Sequence, residues 1–314
     1  MLQTYARNKL VWPISLGFSL ITWILNGWLG LGGKLPHDVL LTPFVDYTLG
    51  LFVCVVAIYL LAEINSRYAF LSNTDRTISM TFMLLIAMAM FLHPLQKSQL
   101  VMICYLIGYL ILFGTYQSRQ TSILAFSVNL MLGIASLVCP QIIWLFIVNV
   151  ISLMILRSFK LKSLVASVLG LMLPYWFWGI ITYAFGDMEV FNTHLQQVNA
   201  FGGAGFEILS PKQIWAFWIV AVMFIVGGVD FFINIHQNRS QARISYYVVC
   251  FQGVALLFYL WAEPEQYMNI FPLFMINASM LWGRLCSFSK GRTYDVIWFS
   301  VAVAWFVTSI FIKP

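Results

Sequence analysis

"TSILAFSVNLMLGIASLVCPQIIWLFIVNVISLMILR", residues 121–157, is an apolar run closed by Arg119 before it and by Arg157 at its end. Drawn as one α-helix, at about 1.5 Å per residue, it would be over 50 Å long. A hydrocarbon core is only about 30 Å thick. The segment "VCPQ" (138–141) resolves the excess. Pro140 has no N–H to give to a continuing helix and biases the residue before it away from helical backbone. The chain is therefore predicted to turn back there, as two short spans. "LHPLQKSQ" (92–99) makes a similar turn.

Carried along the chain, the same reasoning predicts about eleven spans. They fall at roughly 10–30, 46–64, 77–93, 99–116, 121–138, 141–157, 162–185, 214–235, 244–262, 267–285 and 294–312. The composition agrees, with 61% of residues hydrophobic and only 9% charged, where a soluble domain carries about 25% charged residues. The fold class is thus all-α: a polytopic transmembrane helical bundle in a single integral membrane domain, 1–314. The first apolar run ends in "GWLGLGGKLP" (27–36) without a small-residue cleavage site, so it is read as an uncleaved span.

Charge sets the expected orientation. With a cytoplasmic N-terminus, thirteen basic residues fall on the inside: Arg7, Lys9, Arg67, Arg76, Arg119, Arg157, Lys160, Lys162, Arg239, Arg243, Arg284, Lys290 and Arg292. Only Lys34, Lys97, Lys212 and Lys313 fall outside. Positive residues concentrate on the cytoplasmic side of such proteins, which also explains the net charge of +6 without nucleic acid. No basic run with interleaved aromatics exists to bind one. Seven acidic residues, Asp38, Asp46, Asp187, Glu189, Glu207, Glu263 and Glu265, gather on or near the outer face. All inner loops are short, so any chemistry belongs at the outer interface or between helices.

The five cysteines, Cys54, Cys104, Cys139, Cys250 and Cys286, form no C-x-x-C pair and have no histidine at ligand spacing. They read as small buried hydrophobes, and no metal or other cofactor is expected. Mid-span polarity comes from amides, chiefly Asn129, Asn149, Gln252 and Asn277, which commonly bond neighbouring helices. No acid or base lies mid-span, which argues against an ion-coupled transporter.

Two outer loops hold the candidate site. Loop 31–45 contains Lys34, His37 and Asp38, with Asp46 just after it. Asp38 is placed to act as a general base, with Lys34 or His37 on a phosphate; its plainer role is to cap the next turn while Lys34 snorkels. His93 and Lys97 form a second outer corner, where a histidine before a proline is ordinarily a turn residue. Loop 186–213, "GDMEVFNTHLQQVNAFGGAGFEILSPKQ", carries His194 and Glu207 around a glycine cluster. Loops of this length are disordered or functional, and Phe191, Phe201 and Phe206 favour one that folds back on the membrane as a cover. Elsewhere, Glu63 and Arg67 are spaced for an intrahelical pair. Helix capping is expected within "SNTDRT" (72–77), and Asp230 is expected to meet Arg239 or Arg243.

The stretches "AEINSRYAFLSNTDRTISMTFMLLIAMAMFLHP" (62–94) and "FSVNLMLGIASLVCPQIIWLFIVNVISLMILRSFKLKSLVASVLGLMLPYWFW" (126–178) resemble a family of polytopic inner-membrane proteins of Bacteroidota known only as a domain of unknown function. That resemblance implies a bacterial inner (cytoplasmic) membrane. "NLMLGIASLVCPQIIWLF" (129–146) looks like a segment of GT-C-class membrane glycosyltransferases. This second resemblance implies transfer of a sugar from a polyprenyl-phosphate donor, with an acid in the first outer loop, here Asp38, and a mobile outer loop between spans seven and eight. The class has an adjacent acidic pair in that first loop, whereas Asp38 and Asp46 are eight residues apart. On the enzymatic expectation, Asp38 is the base and Lys34, His93 or Lys97 neutralises the donor phosphate. The alternatives are a non-enzymatic scaffold or accessory subunit of an envelope complex, and a lipid or solute transporter.

Overall fold

The computed structural model describes residues 16–17, 19–24, 43–71, 76–186, 188–198, 208–237 and 239–288. Among these, all regular structure is helical. The helices are α1 (Pro43–Tyr68), α2 (Thr77–Met88), α3 (Lys97–Phe113), α4 (Thr121–Val138), α5 (Leu145–Ile155), α6 (Leu161–Phe185), α7 (Met188–Gln197), α8 (Pro211–Ile233), α9 (Ser240–Ala262) and α10 (Tyr267–Phe288). Six segments among the described residues are long and apolar enough to cross a membrane, and three shorter apolar ones lie at 77–88, 97–113 and 140–155. The predicted turn at Pro140 is present, as a 3-10 turn at Pro140–Trp144 that separates α4 from α5.

Several boundaries differ from expectation. The span predicted at 77–93 stops being α-helical at Met88 and continues as a 3-10 turn, Met90–Leu92. Helix α1 starts at Pro43, inside the predicted outer loop 31–45. The predicted loop 186–213 contains helix α7. Arg76 occupies the N-cap of α2 with no side-chain cap bond; Ser72, Asn73, Thr74 and Asp75 lie outside the described residues, as does the span expected at 294–312.

Local chemistry explains several ends. Helix α8 opens on a capping box: Gln213 N donates to Ser210 Oγ at 3.4 Å and Ser210 N to Gln213 Oε1 at 2.9 Å, with Pro211 in the first turn. Helix α6 closes on Gly186 at φ 79°, left-handed backbone that a glycine adopts without steric cost.

Helix α10 forms the centre. In its most apolar window 94% of residues are buried, and Ile78–Met88 of α2, packed against it, are all buried. A helix that is apolar all round belongs inside a bundle or a membrane. Helix α6 is the opposite case, with 17% of its window buried. Its inner stripe is small residues plus a proline: Ser163, Ser167, Gly170 and Pro174. A Cβ on Gly170 would lie 2.3 Å from Phe126 O, and one on Gly133 of α4 would lie 2.8 Å from Leu171 O. The two backbones touch because these side chains are absent, the usual way for helices to associate in lipid. The outer side of α6 exposes Leu161, Leu169, Met172, Trp176, Ile180 and Tyr183. An apolar surface of that length belongs against hydrocarbon, not water. This is a membrane protein.

Consecutive helices alternate in direction, apart from the short α7, so connections gather at two ends. At one end Tyr259 donates to Gln141 O, Tyr267 to Gln213 O and Leu95 N to Asp46 O. At the other, Ser158 donates to Thr115, Thr77 to Gly283 O and Arg284 to Asp230.

Candidate functional site

The first of these ends, here called the corner end, carries most of the described residues that the sequence nominates. His93 lies beyond α2 and is fully buried. Its ring stacks on Trp23 at 4.0 Å and 9°, while Trp23 Nε1 donates to Tyr47 O at 3.0 Å. His93 Nε2 sits 3.2 Å from Ile86 O, and a carbonyl only accepts, so this nitrogen carries the proton. Burial pushes the imidazole down to about 4, against the pull of the Ile86 and Ala87 carbonyls. Gln99 Nε2 donates to Leu92 O and Pro94 O at 2.9 and 3.0 Å, and Gln96 Nε2 to Phe91 O at 2.9 Å. The 90–99 corner is thus tied by side chains to its own backbone. Lys97 is exposed in the first turn of α3. His93 and Lys97 are therefore not a pair of surface cations: one is a neutral ring in the core, the other a surface ammonium.

Next to this corner stand the turn at 139–141 and the turn before α10. Cys139 Sγ donates to Gln266 Oε1 at 3.2 Å, and Asn269 Nδ2 donates to the same oxygen at 2.8 Å. Burial pushes the Cys139 thiol up to about 11; the nearby Lys97 ammonium pulls weakly the other way. A thiol so placed is a hydrogen-bond donor and no nucleophile at neutral pH. Asp46 and Glu263, two acids expected on the outer face, are both fully buried at this end.

Helix α7 lies across the corner. His194 Nε2 is 3.2 Å from Ser136 O, its ring stands edge-on to Trp178 at 4.7 Å, and partial burial lowers its pKa. Phe191 packs on Trp178 at 5.2 Å, and Trp144 Nε1 donates to Val198 O at 3.2 Å. Phe191, His194 and Val198 are the less exposed positions of the segment, while Glu189, Asn192, Thr193, Gln196 and Gln197 are exposed, together with Met188, Val190 and Leu195. The spacing of 3 and 4 between the inward positions is that of one helical face. The polar segment read from sequence as a loop folding back is, over these residues, an amphipathic helix. Lys34, His37, Asp38 and Glu207 lie outside the described residues.

Inside the bundle three of the four amides join helices, through tyrosines not singled out in the sequence, whereas Asn129 Nδ2 donates to Ala125 O of its own helix at 2.9 Å. Tyr109 of α3 donates to Asn277 Oδ1 of α10. Asn277 Nδ2 donates to Tyr105 Oη at 2.9 Å, and Tyr105 donates to Gln252 Oε1 of α9 at 2.8 Å. Gln252 Nε2 reaches Ser152 Oγ at 3.1 Å and Asn149 Oδ1 at 3.3 Å on α5. The available signal was two tyrosines four apart on an apolar helix, one face by spacing. At the far end, Asp230 pairs with Arg284 of α10 at 2.5 Å, not with Arg239 or Arg243. Glu63 and Arg67 pair as expected, at 3.1 Å.

No group of three or more histidines, cysteines or acids is placed to hold a metal among the described residues. The architecture is that of an all-helical, multi-pass membrane protein with an amphipathic helix laid over one end. Compared with family models, with curated proteins and with solved structures, the chain finds no match.

Proposed function

We propose that this chain is a multi-pass protein of the bacterial inner membrane that transfers a sugar from a polyprenyl-phosphate-linked donor at its corner end, in the manner of the GT-C class. The observation that carries the reading is α7: a polar-faced helix held by His194, Phe191 and Trp144 over corners that also present Lys97. A cover of this kind suits a substrate whose tail stays in lipid and whose head group sits at the interface. In the reaction an acceptor hydroxyl oxygen bonds to the anomeric carbon. The bond from that carbon to the phosphate oxygen breaks, and Asp38 takes the hydroxyl proton. Lys97 and Lys34 neutralise the departing polyprenyl phosphate. His93 drops out of that set, because a neutral, buried imidazole offers no charge.

The test is turnover of a radiolabelled polyprenyl-phosphate sugar in proteoliposomes. Asp38→Asn is expected to lower it by at least about a hundredfold, with Lys97→Ala raising KM. Full activity of Asp38→Asn overturns the reading.

A second reading, a scaffold or accessory subunit of an envelope complex, is favoured by one observation: the Gln96 and Gln99 amide N–H groups of the 90–99 corner are spent on its own backbone. It expects Asp38→Asn and Lys97→Ala to be tolerated in cells, while Gly170→Leu, which forces α6 off α4, is not.

A further inference from the structure

The polar chain inside the bundle has a direction, and the residue at its end lines a cavity. Ser152 Oγ donates its proton to Val148 O at 2.7 Å, so it can only accept from Gln252. That fixes Gln252 Nε2 towards α5 and leaves Gln252 Oε1 for Tyr105. Asn149 must then present Oδ1 to Gln252, which turns its Nδ2 away. Among the described residues, Asn149 Nδ2 donates to no protein group. The residue is 8% exposed and Nδ2 keeps some accessible surface; an amide donor that meets neither protein nor water is costly.

Asn149 lines a cavity of about 20 Å³ where α3, α4, α5, α9 and α10 meet, together with Tyr105, Gly108, Tyr109, Leu132 and Gln252. Gly108 is a buried residue in the middle of α3. A Cβ built there would meet nothing within 4 Å, so it would project into this space. A bound water needs about 10–15 Å³ of such space and two or more polar partners. Volume and partners match, with Asn149 as donor and the Tyr105 and Gln252 polar atoms beside it.

We propose that this cavity is a binding site for a single water molecule, held as acceptor by Asn149 Nδ2 and completing the polar chain between α3, α5, α9 and α10. The ligand must offer an oxygen lone pair and be no larger than water.

The test turns on a sign. If the site were dry, Gly108→Ala would fill a void and improve a helix interior, and the melting temperature would rise. With water bound, the new methyl expels it and strands the Asn149 donor, so the melting temperature is expected to fall by about 2–4 °C. In an Asn149→Leu background, where no donor is left to strand, the same substitution is expected to be neutral or stabilising. A rise in both backgrounds, or an equal fall in both, overturns the proposal. Should the variants not fold, a high-resolution structure of the unaltered protein in nanodiscs decides the matter. Density about 2.9 Å from Asn149 Nδ2 is expected there, and its absence overturns the site.

Discussion

Arg284, which bears a guanidinium, has no solvent exposure. Its guanidinium is held by Asp230 at 2.5 Å and by Asn234 O at 3.1 Å. The rings of Phe231, Tyr246 and Phe288 stand 5.4, 5.8 and 5.1 Å from its central carbon, within the range of cation–π attraction. A buried pair is weak evidence of net stabilisation, but breaking it from one side strands a charge. Asp230→Leu alone is therefore expected to destabilise by roughly 3 kcal/mol, because it leaves the guanidinium in the core. Asp230→Leu combined with Arg284→Met is expected to recover most of that. Thermal melting in detergent measures both; a double variant as unstable as the single would show that the pair itself holds α8 to α10. The partner was not legible in the sequence. Asp230 stands near Arg239 and Arg243 along the chain, and only the packing of α8 on α10 brings Arg284 to it. Glu63 and Arg67 were legible because their geometry is that of one helix.

Connections hide more than spans do. The corner at 90–99 and helix α7 both read as polar interruptions, yet one is a buried knot and the other a docked helix. In the corner, His93 is neutral in the folded protein, titrating at about 4 against an ordinary 6.5. The unfolded chain therefore binds more protons between those values. Stability is complete above about pH 6.5 and is lost as pH falls toward 4. His93→Phe, which keeps a ring on Trp23, is expected to flatten that slope in melting measured from pH 7 to 4.5. His194, lowered in the same direction by burial, adds to that slope. For α7, Phe191→Ala removes the contact with Trp178 and Gly179. Amides of 188–198 are then expected to exchange with deuterium about tenfold faster, while those of α4 stay protected. Unchanged exchange would mean that α7 is held by His194 and Trp144 alone. The helix was missed because it is short and its inward face is only partly apolar: Phe191, His194 and Val198 give the period, but His194 counts as polar until Trp178 is found beside it.

For the whole molecule, some span limits were legible because hydrocarbon thickness sets them: 121–138 matches α4 to the residue and 162–185 matches α6 within one, whereas 141–157 is longer at both ends than α5. What lies inside the bundle was not, and the reason is physical. Lipid tails are as apolar as leucine, so hydrophobicity cannot separate a face turned to lipid from one turned to another helix. Helix α10, nearly all buried, and α6, nearly all exposed, are both simply apolar in sequence. The small stripe Ser163, Ser167, Gly170 and Pro174 is the better guide, since it marks where backbones approach. Sidedness rests on charge. Among the described residues, nine cations stand at the far end, from Arg67 to Arg284, and two, Lys97 and Lys212, at the corner end. The bias that orients membrane proteins is the ground for expecting the far end in the cytoplasm. A membrane-impermeant maleimide tests it directly. Glu265 and Arg119 are exposed at opposite ends, and the native cysteines, four buried and Cys104 half-buried, give a low background. In spheroplasts Glu265→Cys is expected to label at once and Arg119→Cys only after permeabilisation. Labelling of both from outside would break the alternation of the helices. The reverse pattern would put α7 and Lys97 in the cytosol, and a polyprenyl-linked donor presented at the outer face would then have no site on this chain.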